Sequence, residues 1–364
     1  DGRDAGLYPS ILLFHKPYHT EGVTYVQRAA KLGCTKVNVI VTLLCEIDKD
    51  SNVLSYGVHR RGKYRPLTRE LLAEFKACVK KVFAEVAAHD MEMSVLAHLN
   101  AGGKRYDWRN NFLFDPLAYY DDFSYQDTLI AAIQEAILKT PNLKAPIDIS
   151  LSGEMGRSVF AHADSYLAIM RTLRSDKRLP KTNLGVSLNF SNAAGEDTVT
   201  AAQRKHAQGL VDECDFIGLS NYRWIDLPID ATHFEQAKAA FFVDMRNSGV
   251  TIPSGTPLHF SEVGIGGGTD EGLASTPAQA AKTPWNGSDN PRKNPWTSPQ
   301  MQQFRRDFHR ALLAFLAQQP QENPVTDAFL WSEGSWDPLD TTDQGFADPR
   351  IIEMIQRHNQ RVVR

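Results

Sequence analysis

Two glutamates stand where a strand-like run gives way to a loop. Residues 147–151 lead into Ser152-Gly153-Glu154, and residues 258–261 lead into Glu262-Val263-Gly264. Carboxyl groups on rigid strand ends keep a set separation and can divide acid–base labour. One stays protonated to assist a leaving oxygen, and the other stays ionised to attack a carbon or activate water. Cleavage of a glycosidic bond needs such a pair, about 5 to 5.5 Å apart for retention of configuration and farther apart for inversion. Gly153 and Gly264 lie beside or near them, where the lack of a side chain lets backbone and substrate approach closely. A single glutamate at a strand terminus is an ordinary surface charge, whereas two at matched positions make a candidate site.

The surrounding pattern supplies the strands. Short runs rich in β-branched residues occur at 10–14, 36–44, 93–98, 147–151, 185–189, 216–220, 258–261 and 328–331. They read as continuous apolar runs of a parallel sheet covered on both faces. Helical stretches lie between and after them at 25–32 (the shortest), 68–88, 129–138, 158–173, 198–210, 233–245, 299–317 and 349–358. Ser124 and Asp127 resemble a capping box ahead of the third helix. Eight strand–helix units predict an α/β fold, a single closed (β/α)8 barrel spanning 1–364, with no internal repeat or linker. A doubly wound sheet is the alternative, but no GxGxxG follows the first strand, so no dinucleotide cofactor is expected. The glutamates then end the fourth and seventh strands and face each other across the barrel mouth. Segments after strand ends are long (46–66, 99–123, 222–232, 262–298 and 332–348), as expected of loops that build an active face. The 262–298 loop reads as a lid, a sugar platform or plain surface.

Bulk properties exclude other classes. The net charge of −3 and pI of about 6.4 lack the basic footprint of a nucleic-acid binder. No apolar run is long enough for a membrane span. Cys34, Cys45, Cys78 and Cys214 form no CxxC pair and read as buried free thiols, with one disulfide an alternative in an exported protein. The chain opens on Asp1 rather than Met, so the expectation is an exported protein, secreted or periplasmic, from which a leading segment was removed. His15 and His19 are spaced by three residues in probable loop and do not promise ligand geometry, so no metal is expected. Lys16, on the first strand, is poorly placed for Schiff-base chemistry.

Taken together, the chain resembles the large clan of retaining (β/α)8 glycosidases that includes cellulases, mannanases and galactanases. The resemblance rests on Leu151-Ser152-Gly153-Glu154 after strand four and Phe260-Ser261-Glu262-Val263-Gly264 after strand seven. It implies Glu154 as general acid/base and Glu262 as nucleophile. It further implies Tyr222, after strand six, as a hydrogen-bond partner of the nucleophile. Trp331 would floor the subsite at the cleavage point, and His98-Leu99-Asn100 would provide polar residues at the end of strand three. One departure stands out: many members carry Asn directly before the acid/base, where it contacts the sugar 2-hydroxyl, and here that residue is Gly153. The 2-hydroxyl contact then comes from elsewhere, with Asn189 and Asn221 as candidates, or is absent. A mannanase-like family is the nearest in character.

Other residues complete the expected site. Arg157, three residues after Glu154, is a candidate to tune it or bind substrate. Trp108, Trp224, Trp285, Trp296, Trp331 and Trp336 all fall at strand ends or in loops and suit the apolar C–H faces of pyranose rings. The segment Tyr106-Asp107-Trp108-Arg109-Asn110 reads as a subsite. Arg60, Arg61, Lys63, Lys104, Arg105 and Arg109 could meet an acidic polysaccharide or simply solvate two loops. The expected partner is a carbohydrate, cleaved in an endo or exo fashion or transferred. A barrel that binds carbohydrate without catalysis is the alternative from another class.

Overall fold

The computed structural model describes residues 4–13 and 18–362. Eight parallel strands form a ring: β1 (Gly6–Leu13), β2 (Lys36–Ile47), β3 (Glu92–Ala101), β4 (Ile147–Gly153), β5 (Thr182–Asn189), β6 (Phe216–Asn221), β7 (Leu258–Val263) and β8 (Val325–Leu330). Each pairs with the next, and β1 pairs with β8 as well as with β2, so the ring has no free edge. The main helices follow their strands: α1 (Tyr18–Lys31), α2 (Arg69–Ala88), α3 (Ala131–Leu138), α4 (Ala163–Ser175), α5 (Ala201–Glu213), α6 (Thr232–Asn247), α7 (Pro299–Leu316) and α8 (Pro349–Val362). The fold is the expected α/β barrel.

Several local expectations are corrected. The first helix begins at Tyr18 rather than near residue 25, and α3 is shorter at 8 residues, entered through the π-helical turn Gln126–Ile130. The Ser124 hydroxyl accepts the Asp127 N–H at 3.0 Å, the forward half of the expected cap. The stretch expected as one helix over 158–173 is broken into Gly156–Ala161 and α4. The loop expected over 46–66 contains a hairpin, Val53–Arg60 with Lys63–Pro66, that continues the sheet antiparallel from β2. Buried Val53, Tyr56 and Val58 anchor it. Phe14, His15 and Lys16 lie outside the described residues, as does the side chain of His19.

The strands also alternate more than continuous apolar runs would. Their outer faces carry the apolar residues that pack against the helices, for example Val37, Val39 and Val41 on β2 and Ile147, Ile149 and Leu151 on β4. Each such side chain contributes on the order of 1.5–3 kcal/mol when fully buried. The inner face is largely polar and arranged in layers. In the middle layer Ser187 Oγ bonds Ser150 Oγ (2.8 Å) and Ser261 Oγ (2.7 Å). Gly218 leaves them room, since a Cβ there would stand 2.0 Å from Ser187 Oγ. Leu12, Ile40 and Leu96, with Trp331 against them, fill the opposite half of the interior.

The floor of the barrel is ionic. Lys36 Nζ lies 3.0 Å from Asp148 Oδ2 and 3.3 Å from Asp327 Oδ2. His259 Nε2 lies 3.6 Å from Asp327 and stacks on Phe216 at 4.0 Å. Burial lowers the His259 pKa, while Asp148 and Asp327 pull it the other way. Burial opposes ionisation of Asp148, but His259, Lys36 and the Asn183 amide outweigh it and keep its pKa below the usual value. Asp148, His259 and Asp327 bring ligand atoms within 4.8 Å of one another, yet the Lys36 ammonium already supplies the positive charge between the two carboxylates. Removing one partner of a buried ion pair typically costs about 3–5 kcal/mol. Lys36→Met is therefore expected to lower the unfolding free energy by about that amount in urea denaturation at neutral pH. A loss below about 1 kcal/mol would mean that the cluster contributes no more than a surface pair.

Candidate active site

The strand ends are irregular where the two glutamates emerge. The pairing of β4 with β5 slips between Ser150 and Gly153, and that of β6 with β7 slips between Leu219 and Ser220, placing Ser220 opposite Glu262. Such slips re-aim side chains at a barrel rim. Glu154 follows directly, with its N–H on the Ser187 carbonyl at 3.2 Å and φ of +54°. That left-handed backbone is sterically disfavoured for a residue with a Cβ, by about 1–2 kcal/mol. A Cβ at Gly153 would lie 3.0 Å from the Leu96 side chain, a tight contact that Leu96 would have to relieve by a few tenths of an ångström. A Cβ at Gly264 would meet only ordinary contacts with Trp336, at 3.4 Å.

Both glutamates line one cavity of about 580 Å3, together with Tyr106, Trp108, Arg109, Asn189, Phe190, Ser191, Tyr222, Trp285, Trp331, Glu333 and Trp336. Both are buried, at 5% and 3% exposure, so neither charge is relieved by bulk water. Glu262 Oε1 accepts the Tyr222 hydroxyl at 2.9 Å, and Oε2 accepts the Ser220 hydroxyl at 3.3 Å. Glu154 Oε2 accepts the Trp108 indole N–H at 3.2 Å and an Arg109 guanidinium N–H at 3.1 Å. Arg109 is itself fixed, donating to the Leu99 carbonyl at 3.0 Å and to Asn100 Oδ1 at 2.5 Å.

The electrostatics of the cavity bear on three buried groups. Burial and the nearby Glu154 carboxylate push the Glu262 pKa up to about 8, against the opposing pull of Arg109, Tyr222 and Ser220. Burial, reinforced by Glu262, raises the Tyr222 phenol well above its ordinary value, so it stays a donor. Burial, reinforced by Arg109, drives His98 well below its ordinary value, so its ring is neutral.

The residues singled out from the sequence fall into two groups. Glu154, Glu262, Trp108, Asn189, Tyr222 and Trp331 line the cavity. His98, Asn100 and Asn221 lie outside its lining. His98 is fully buried, with Nδ1 3.1 Å from the Thr42 hydroxyl and its ring against Trp331. Asn100 serves Arg109, and the Asn221 side-chain oxygen Oδ1 accepts the Arg223 backbone N–H at 3.3 Å. Asn189 donates to the Ser191 carbonyl at 2.7 Å.

Arg157 does not reach Glu154. It pairs with Asp197 at 2.6 Å and donates to the Asp50 and Asn111 carbonyls, tying loops together. Arg109 takes the place expected for it. Its neighbour Trp108 carried the signal, since the whole 106–110 segment stood out as polar and aromatic. Among the six basic loop residues, only Arg109 lines the cavity, and Arg60 pairs with Glu74. Phe190 was missed because it follows β5 as one more apolar residue. It stacks on Trp285 (6.2 Å, 26°) and meets Trp224 edge-on, making an aromatic shelf at the cavity rim. Trp296, by contrast, is core: it is 4% exposed, donates to the Ser335 carbonyl at 2.8 Å and lies under the buried Arg305 guanidinium. Trp336 falls in the 3-10 turn Gly334–Trp336 and donates to the Pro284 carbonyl at 3.1 Å. The Ser335 hydroxyl donates to the Gly266 carbonyl at 2.6 Å. These bonds fasten the loop after β7 to the loop after β8 and make a fixed wall that carries Trp285.

The raised Glu262 pKa is a statement about stability. The folded state binds this proton more tightly than the unfolded chain, so the associated stability is complete below the ordinary pKa of 4.5 and is lost as pH rises through about 8. Glu262→Gln, neutral and of the same shape, removes that dependence. Urea denaturation between pH 4 and 9 is expected to show the variant gaining on the parent chain as pH rises, by on the order of several kcal/mol at the alkaline end. Parallel curves for the two chains would refute the assignment of the proton to this site.

No family model matches the sequence, and no curated protein matches it. Solved structures do match in fold. A GH113 beta-mannanase, AaManA from Alicyclobacillus acidocaldarius in complex with ManMIm, superposes with a TM-score of 0.55 at 12% identity, covering 99% of this chain and 98% of that one. A GH113 beta-1,4-mannanase complex gives 0.53 at 12% identity over 99% of both chains. A GH5_18 protein from Bifidobacterium longum subsp. longum in complex with Manb1-4GlcNAc gives 0.50 at 12% identity, over 98% of this chain and 78% of that one. At such identity the likeness establishes a shared fold, the (β/α)8 barrel.

Proposed function

We propose that this chain is a retaining glycoside hydrolase acting on a β-linked poly- or oligosaccharide, with Glu154 as acid/base and Glu262 as nucleophile. The observation that carries this reading is the pair of buried carboxyls, one from the end of β4 and one from β7, lining a single cavity with aromatic walls. Two of the barrels alike in fold are GH113 mannanases, which makes a β-1,4-mannoside the first substrate to try.

The steps follow from the groups present. A Glu262 oxygen attacks the anomeric carbon, the glycosidic C–O bond breaks, and the proton on Glu154 passes to the leaving oxygen. Glu154, now ionised, takes a proton from water as the water oxygen attacks the same carbon, and the electron pair of the ester bond returns to Glu262. Tyr222 and Ser220 donate to Glu262 and oppose the burial that raises its pKa, so they favour the ionised form that attacks. Trp331 offers an apolar face to the ring being cleaved. With Gly153 beside the acid/base, Asn189 is the cavity-lining amide placed to meet a sugar hydroxyl.

The test is reducing-end release from neutral and acidic β-glycans, beginning with β-1,4-mannan. One glycan is expected to be cleaved with retention of anomeric configuration by proton NMR, and Glu262→Gln to lose that activity. Glu154→Gln is expected to lower it about 10²–10⁴-fold. An active Glu262→Gln variant would overturn the assignment of the nucleophile. If the wild type cleaves no glycan of the panel, the catalytic reading fails and carbohydrate binding alone replaces it.

A further inference from the structure

The loops after β6 and β7 enclose a second hollow of about 430 Å3. It is lined by residues 224–227 on one side and by Ala278, Ala281 and Lys282 of the short helix Pro277–Lys282 on the other. The two sides are fastened together. The Ile225 N–H donates to the Ala281 carbonyl at 2.7 Å, and both residues are buried. The Thr276 hydroxyl caps the helix, accepting the Gln279 N–H at 3.3 Å. Trp224 joins this hollow to the cavity that holds the two glutamates. It lines the hollow and meets Phe190 edge-on at 6.5 Å, while Phe190 and its stacking partner Trp285 line the cavity.

The rings along this path are left in solvent. Among the described residues, Trp224 and Trp285 are the two exposed tryptophans, at 46% and 43%, and both lie against Phe190. Leu227, in the hollow, is 42% exposed. Clustered exposed apolar side chains mark a ligand or partner surface. The Arg223 guanidinium lies over the Trp224 ring, 4.5 Å from its centre, and holds it in place. Asp226 and Lys282 border the same apolar surface with an acceptor and a donor. Apolar rings edged by hydrogen-bonding groups of both signs match a neutral sugar, which carries C–H groups on its faces and hydroxyls around its edge. Three exposed side chains fall far short of the roughly 20–30 residues a side that a stable protein interface uses.

We infer that the substrate chain leaves the cavity across Phe190 and Trp285, and that the hollow beyond Trp224 binds a further part of the same chain. The protein then cleaves within long β-linked chains rather than trimming their ends. The inference rests on the hydrolase reading for the cleavage and on the shelf for the path. Trp224 and Leu227 act as specificity-determining residues remote from the reacting atoms. Binding energy gained there is available only to a substrate long enough to reach them, so it favours long chains over short ones.

The test compares disaccharides with hexasaccharides of β-1,4-linked mannose, glucose and xylose, in wild type, Trp224→Ala and Ala278→Glu. Ala278 is exposed, so a glutamate there fills the hollow without disturbing the core, and Lys282 lies four residues on as its helical partner. In the wild type, kcat/KM for the cleaved hexasaccharide is expected to exceed that for its disaccharide by about tenfold or more, with internal bonds cut first. Each variant is expected to lower the hexasaccharide value about tenfold and the disaccharide value far less, so that the preference for length collapses. A preference that survives both variants overturns the inference. Release of single sugars from one end of the hexasaccharide in the earliest products also overturns it.

Binding separates this inference from the hydrolase reading. Calorimetry on Glu262→Gln with the same oligosaccharides requires no turnover. A hexasaccharide that binds about tenfold more tightly than its disaccharide, with the difference lost when Ala278→Glu is added, supports the hollow even if the wild type cleaves nothing. Equal affinity for both lengths, or no binding of any oligosaccharide, rejects it even if the chain proves to be an active hydrolase. A dimer in sedimentation that Ala278→Glu dissociates, with no preference for length, would make the patch a protein contact and overturn the inference as well.

Discussion

The pairing of β1 with β8 closes the sheet, and the rest of the molecule follows from that closure. A closed ring has no edge to protect, but it seals its inner face away from water, so polar groups inside are driven to pair with one another. The three inner layers solve this differently. Charges neutralise one another at the floor, hydroxyls share protons in the middle, and at the rim the side chains open onto a cavity. The outer face, free of this demand, carries the apolar residues against the helices. Functional groups therefore collect at one end of the ring because only there does the polar interior meet solvent.

At that end two carboxyls share one low-dielectric space. Each is held by its own neighbours: two hydroxyls hydrogen-bond Glu262, and an indole and a guanidinium hydrogen-bond Glu154. The second pair comes from one short loop segment after β3, anchored by Asn100 and the Leu99 carbonyl. The wall opposite is fastened by the Ser335 and Trp336 bonds, so the cavity is preformed and its aromatic shelf has a fixed orientation. Preformed sites of this kind keep ligand binding from being taxed by ordering the protein.

Much of this arrangement was readable in the sequence. Strand identities, the closed barrel and the two glutamates at strand ends follow from short β-branched runs and the residues that end them, because these are local signals. The hairpin at Val53–Arg60 was hidden by its polar solvent face, where Arg60, Arg61 and Lys63 dominate a weak alternation. The exchange of Arg157 for Arg109 was hidden for another reason. Three residues along a helix start is a plausible reach, but the chain leaves β4 in a left-handed turn that carries Arg157 towards Asp197. The loop after β3, distant in sequence, then fills the vacated side. Trp296 failed as a surface platform because a buried arginine lies over it. Both errors concern where long side chains end up, which non-local packing decides.

The backbone at Glu154 carries a wider implication. A glutamate at φ of +54° occupies a conformation that glycine or asparagine adopts with less strain, so the backbone disfavours a residue whose carboxyl Trp108 and Arg109 hold. Laboratory selection of this chain for thermal tolerance alone would weigh that backbone strain against the Arg109 pair and be blind to the carboxyl's role in the cavity. Securing the residue requires selection on what the cavity does. For anyone evolving the barrel, stability and activity must be screened together at this position.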